Sequence, residues 1–200
     1  MTARMKELAS EIVRLQTELD REIERRRIAL GWSIKARLVR FEKGIVAQQR
    51  QFRIGVLGLV RGASLRTIVT APVVYSMIVP LALLDLWATI FQIVCFRAYR
   101  IPRVRRSDYI ALDRGRLAYL NAIEALNCAY CGYGNGVIAY VREISSRTEQ
   151  YWCPIKHAVR ITDPHKRYYD FLEFGDAEGY RARLDSFRAG LREDSEPSSS

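Results

Sequence analysis

A run of 29 residues with a single charge constrains the fold of this chain most strongly. It extends from Ile68 to Phe96, and Asp85 is its only charged residue. A helix of that length can cross the roughly 30 Å hydrocarbon core of a bilayer once, but not twice. Pro72 and Pro80 interrupt the run. The sequence therefore predicts a membrane segment over residues 67–97.

The charges on either side of this segment predict its topology. Residues 48–67 contain four arginines and residues 97–116 contain seven. Lys and Arg near a membrane segment favour the cytoplasmic face, so both ends are expected there. A re-entrant helical hairpin turning at Pro80 satisfies this condition, and a single span is the alternative. The hairpin requires a second copy or a membrane-protein partner to cover its turn.

Asp85 allows two interpretations. An acid inside a membrane segment is often functional. Alternatively, its carboxylate pairs with a nearby arginine or caps the helix that follows Pro80.

The region before the membrane segment, residues 1–66, is predicted to be helical, with an apolar seam in its first part and many basic residues in its second. Residues 1–24 carry an apolar heptad seam, formed by Met5, Leu8, Ile12, Leu15 and Leu19. This pattern indicates either a coiled coil with another copy or an amphipathic helix folded back on its own chain. From Arg25 to Arg66 the helical period continues, with eleven Lys or Arg against one acidic residue. Such a helix suits an anionic lipid membrane, and nucleic acid is the alternative partner.

Residues 98–193 predict a soluble helical domain, followed by a disordered tail over 194–200. One helix is expected from about Asp113 to Asn127, and glycines 132, 134 and 136 are expected to end it. A second helix over 137–152 would complete an antiparallel helical hairpin. Asp163-Pro164 predicts the start of a short helix that Gly175 stops, and an amphipathic pattern predicts a last helix over 180–191.

Three of the four cysteines and one of the two histidines are clustered between residues 127 and 157. Cys128 and Cys131 form a Cys-x2-Cys pair, and Cys153 and His157 form a Cys-x3-His pair 21 residues later. This set predicts a tetrahedral Cys3His metal site, with zinc as the ligand-compatible metal and a [2Fe-2S] cluster as the alternative. A Cys128/Cys131 redox pair, or thiols that merely pack, also remain open.

Helix geometry limits how the four ligands can meet. Sixteen helical residues between the pairs span about 24 Å. The chain must therefore double back at the glycines, the second helix must be shorter, or the ligands must come from two copies. Cys153 precedes Pro154 and is expected to cap a turn, where the helix dipole would lower its thiol pKa.

Several segments together resemble a family of uncharacterised bacterial membrane proteins. They are Pro72-Val-Val-Tyr, Pro80-Leu-Ala-Leu-Leu-Asp-Leu-Trp87, Cys95-Phe-Arg97, Ile101-Pro102, Asn127-Cys-Ala-Tyr-Cys-Gly132 and Glu149-Gln-Tyr-Trp-Cys-Pro-Ile-Lys-His157. The resemblance implies that the membrane segment and the Cys/His cluster form one unit, and it implies no activity.

No catalytic motif is present in the sequence. It lacks a P-loop, a dinucleotide fingerprint and a Ser/His/Asp set, and His165 is expected on the surface of a first helical turn. The sequence predicts a mainly α membrane protein that acts as a scaffold or interaction module and carries a structural zinc site. A membrane-tethered iron–sulfur electron-transfer protein and a tethered zinc nucleic-acid binder are the alternatives.

Overall fold

The computed structural model describes residues 3–29, 32–35, 38–41 and 43–193. The described chain is mainly helical, which confirms the predicted class. Its eight α-helices are α1 (Ala3–Ala29), α2 (Lys43–Arg50), α3 (Val56–Gly62), α4 (Leu65–Ser76), α5 (Ile78–Phe91), α6 (Arg97–Tyr99), α7 (Ala122–Trp152) and α8 (Ala177–Glu193). A π-helical turn covers Gln92–Phe96, and short 3-10 turns cover Arg106–Asp108, Arg114–Arg116 and Lys166–Asp170.

The chain divides into two compact units. Unit 1 comprises Met1–Leu65 and Leu112–Ala129, and unit 2 comprises Arg66–Ala111 and Tyr130–Ser200. Each unit therefore combines segments from before and after residue 100. The predicted tail over 194–200 lies outside the described residues.

In unit 1, α1 confirms the predicted N-terminal helix, but the basic helix that should follow it is interrupted. Strands β1 (Trp32–Lys35) and β2 (Leu38–Phe41) pair antiparallel, with Trp32 opposite Phe41. The helical interpretation of this stretch was wrong. Apolar and polar residues alternate from Trp32 to Lys35, and the aromatic and β-branched residues of both segments favour strands.

In unit 2, the apolar segment forms one helical run without a reversal. We call this run, Leu65–Tyr99, the apolar helix; it consists of α4, α5, the π-helical turn and α6. The predicted hairpin at Pro80 is wrong. Met77, which joins α4 to α5, has helical φ and ψ angles of −61° and −16°, and Leu81 donates a backbone hydrogen bond to Met77 (3.2 Å). Pro80 lies in the first turn of α5, where its missing N–H costs little.

The predicted break at the glycines is also wrong, because α7 continues through them for 31 residues. Two of these glycines allow close packing within unit 2. A Cβ at Gly136 would lie 2.8 Å from the Tyr109 carbonyl oxygen and 2.9 Å from the Ile110 Cα. A Cβ at Gly134 would lie 3.2 Å from Leu81 Cδ1. Glycine here serves packing between elements, and the rest of α7 compensates for its low helix propensity.

A polar cluster joins the end of α7 to the chain that follows it. Glu143 accepts hydrogen bonds from Arg147 (2.8 Å) and Arg167 (3.1 Å), and Arg147 also donates to the Pro102 carbonyl (2.8 Å). Burial opposes ionisation of Glu143, but the hydrogen bond from Arg147 and the charge of Arg167 outweigh it and hold the pKa of this carboxyl below its usual value. The last helix, α8, extends over the predicted range and buries Leu191.

Candidate functional site

Most of the apolar helix surface is not covered by the described protein. No residue of α4 is buried, and an 18-residue window of the helix has a mean hydropathy of 2.0. By length and composition alone, it is the one helix of the described chain that could cross a membrane. Large apolar side chains that are at least half exposed occur along its length: Leu65, Ile68, Val69, Val73, Met77, Val79, Leu83, Leu86, Trp87 and Val94. A continuous patch of this kind marks a surface for lipid or another protein.

The opposite face of α5 is covered by protein, and Asp85 and Ala88 are buried there. Asp85 is only 7% exposed. Its carboxylate accepts two parallel hydrogen bonds from the Arg106 guanidinium, from Nε at 3.0 Å and from Nη2 at 2.7 Å, and a third from the Tyr133 hydroxyl at 3.0 Å. A bidentate pair of this geometry is among the stronger polar contacts in proteins. The arginine-pairing interpretation of Asp85 is confirmed.

Two helical turns further along, Gln92 is a second buried polar side chain with hydrogen-bond partners in α7 and in the segment after the helix. Its side-chain amide donates to the Tyr140 hydroxyl, and its oxygen accepts a hydrogen bond from the Val104 N–H (3.0 Å). Gln92 and Tyr140 are each 1% exposed. On the inner face of the apolar helix, Asp85 and Gln92 therefore have hydrogen-bond partners in α7 and in the segment that follows the helix.

That following segment returns along the apolar helix. Val104 contacts Gln92, and Arg106 contacts Asp85, which precedes Gln92 by seven residues. The chain after the helix therefore runs back towards the helix N-terminus. Within unit 1, the same connection then meets the chain that precedes the helix. The Asn121 side chain donates to the Ile54 carbonyl (3.2 Å), and the Ala118 N–H donates to the Gln49 side chain (3.4 Å).

The predicted metal ligands are not brought together in one chain. Cys128 and Cys131 lie within α7, and Cys153 follows the last residue of that helix. The straight path along α7 from Cys131 to Trp152 is about 30 Å. Among the described residues, no group of three or more His, Cys, Asp or Glu side chains is arranged to hold a metal ion. All four cysteines are free thiols.

The Cys153/His157 pair also differs from its predicted geometry. Cys153 lies at the C-terminal end of α7, donating its backbone N–H to the Glu149 carbonyl (2.8 Å), and not at a helix start. Burial and the neighbouring Glu149 carboxylate raise the pKa of its thiol, so the predicted lowering was wrong. The exposed His157 stacks on Tyr168 and lines a different cavity from Cys153.

His165 is more buried than the sequence indicated. Its Nε2 lies 2.7 Å from a Glu149 carboxylate oxygen, and its side chain is 16% exposed. Its Nδ1 is buried without a hydrogen-bond partner in the described part of the chain. The pair connects α7 to the 3-10 turn Lys166–Asp170.

Sequence reasoning missed the partners of the apolar helix. Arg106, Tyr133 and Tyr140 were not singled out, although the nearest basic cluster in the sequence contains Arg106. Asp85 and Gln92 are seven residues apart, which places these two polar residues on one face of an apolar helix. That spacing was the available signal for a face covered by protein. Comparisons with protein-family models, curated proteins and solved structures found no match to this chain.

Proposed function

We propose that this chain is a membrane-bound scaffold or interaction protein that is embedded in the cytoplasmic face of a bacterial inner membrane. The apolar helix enters the bilayer from one side and does not cross it. The observation that carries the proposal is the pair of hydrogen bonds in unit 1 that link residues 49–54 to residues 118–121.

These contacts bear on topology because they join chain segments on either side of the apolar helix. If the helix crossed the bilayer completely and the chain after it stayed on the far face, residues 49–54 and 118–121 would lie on opposite faces and could not touch. With one-sided insertion, both flanks stay on the same face, in agreement with their basic composition. This arrangement needs no turn at Pro80.

One-sided insertion also suits the two faces of the helix. Its exposed apolar side chains would contact acyl chains, while its inner face keeps Asp85 paired with Arg106 inside the protein. A helix at the membrane interface has its apolar face buried by roughly 5–10 Å and its polar face directed towards water or protein. The burial of Asp85 among protein groups then avoids the cost of placing a carboxylate in hydrocarbon.

The scaffold role rests on α1, whose apolar seam is exposed. Its heptad seam presents Leu8, Leu15 and Leu19 at exposures of 47–59%. A second copy of the chain is the partner that this spacing fits, because a and d leucines pair with an equivalent seam. Membrane attachment would concentrate the copies and favour that association.

Cysteine accessibility in spheroplasts tests the topology. Gln51→Cys and Leu112→Cys, introduced one at a time into a variant without native cysteines, mark the two flanks at exposed positions. Both should resist an impermeant thiol reagent in intact spheroplasts and react after lysis. Labelling of only one in intact spheroplasts would establish a complete crossing and reject the proposal. Labelling of both would reject the cytoplasmic location.

A further inference from the structure

We propose that a cavity at the C-terminal end of the apolar helix binds the phosphate group of an anionic phospholipid. This inference rests on the proposed membrane attachment. The cavity has a volume of 440 Å³, and four arginines are among its lining residues, Arg97, Arg100, Arg103 and Arg192. Its other lining residues are Ile93, Phe96, Ile101 and Pro102, so the lining combines cationic and apolar side chains.

The charge of this cavity is not balanced by its lining. No aspartate or glutamate is among its lining residues. Arg97, Arg100 and Arg103 make no side-chain hydrogen bond or ion pair with any residue that the structure describes. Elsewhere in unit 2, Arg106 and Arg147 each bind a carboxylate. Arg97, Arg100 and Arg103 therefore line one cavity without a protein anion, which suits an external anion, and the planar donors of arginine match phosphate oxygens.

The backbone at Arg100 holds a conformation that arginine does not favour. Its φ of 58° and ψ of 37° lie in the left-handed region, at the position where a helix usually ends on glycine. The following Ile101 N–H donates to the Phe96 carbonyl (2.8 Å), which closes the helix end. Glycine would adopt this turn without strain. Arginine therefore contributes its side chain here at a conformational cost.

The cavity lies where a lipid phosphate would be found. The apolar run ends at Phe96, and Arg97 is the next residue. Ile93 lines the cavity and Val94 is 61% exposed beside it, so acyl chains on the apolar helix would continue directly to the arginines of the cavity. Cations that adjoin the end of a membrane-embedded helix lie at headgroup depth.

A simpler role exists for these arginines, since cations at a helix C-terminus interact favourably with its dipole. That role predicts a contribution to stability alone. The helix-dipole role does not explain why Arg100, Arg103 and Arg192 line the same cavity as Arg97. The two roles differ in their dependence on lipid composition, which an experiment can measure.

The test measures flotation of the full-length protein with vesicles of phosphatidylcholine alone or mixed with phosphatidylglycerol. Each cation near an anionic surface contributes roughly a fivefold change in binding. Replacing Arg97, Arg100 and Arg103 together with Gln should therefore weaken binding to the anionic vesicles by more than tenfold and leave binding to neutral vesicles unchanged. The matched control replaces Arg160, Arg181 and Arg183, which lie outside the cavity, and should retain the anionic preference.

A second variant, Arg100→Gly, separates binding from folding. It removes one cation and relieves the backbone, so its Tm should be maintained while anionic binding falls roughly fivefold. A lower Tm with an unchanged lipid preference would establish the helix-capping role and overturn the proposal. An equal loss in the control triple variant would also overturn it.

Two further arms identify the source of the phosphate. Inorganic phosphate at the phosphate concentration of the vesicles should not compete with them, and duplex DNA should not bind through the same arginines. Competition by either would overturn the lipid assignment. Equal binding of the wild type to both vesicles would reject this inference alone. No binding to either would reject the proposed membrane attachment as well.

Discussion

At the scale of single residues, Asp85 has the most consequential environment in the chain. It is charged within an apolar helix, and its carboxylate accepts hydrogen bonds from Arg106 and Tyr133. Asp85→Ala should destabilise unit 2 by about 1–3 kcal/mol, less than for a fully buried pair because the Arg106 side chain is 48% exposed. Urea denaturation in detergent measures the loss.

A double variant tests whether Asp85 and Arg106 stabilise the protein through their contact with each other. If the pair acts as a unit, Asp85→Ala and Arg106→Gln together should cost less than the sum of the two single changes. Additive losses would indicate that the two side chains contribute independently. Asp185→Ala is the control, because the Asp185 side chain is 95% exposed in its pair with Arg188, and it should have little effect.

At the scale of elements, Gly136 determines how closely α7 and the returning segment can pack. Gly136→Ala should lower the free energy of unfolding by about 1–3 kcal/mol, because the new methyl group would overlap backbone atoms of Tyr109 and Ile110. In Gly190→Ala, the nearest atom is Gln150 Nε2 at 3.8 Å, so this change should be neutral or stabilising by up to about 1 kcal/mol. Thermal unfolding of both variants compares them. Similar effects would mean that helix propensity, and not packing, governs both positions.

The elements also separate what the sequence predicts from what it does not. Hydrophobic run length identified the apolar helix, and periodicity identified α1 and α8, because these signals lie within a single segment. The path of α7 through its glycines was not predictable in this way. Gly134 and Gly136 pack closely against Leu81, Tyr109 and Ile110, which are distant in sequence. The Asp85–Arg106 pair was not predictable for the same reason. The sequence did not distinguish Arg106 from the neighbouring arginines as the partner of Asp85.

At the scale of the whole molecule, the continuity of α7 decides what the Cys/His residues can bind. About 30 Å of helix separates Cys131 from the chain at Cys153, so one chain cannot close a Cys3His site in this structure. A metal centre built from these residues therefore requires two copies, with Cys128 and Cys131 from one and Cys153 and His157 from the other. The heptad seam of α1 provides an independent reason to expect two copies.

Mixing variants tests this two-copy site. Cys131→Ser and Cys153→Ser should each lose the metal when expressed alone, because each removes one ligand from both sites of a symmetric dimer. When the two variants are co-expressed, a mixed dimer combines the intact Cys128/Cys131 pair of one chain with the intact Cys153/His157 pair of the other. It should therefore recover one of the two sites.

Metal analysis and a visible spectrum, on protein purified without oxygen, measure the recovery and distinguish zinc from an iron–sulfur cluster. A site formed within one chain would recover nothing on mixing, and thiols that only pack would bind no metal in any combination.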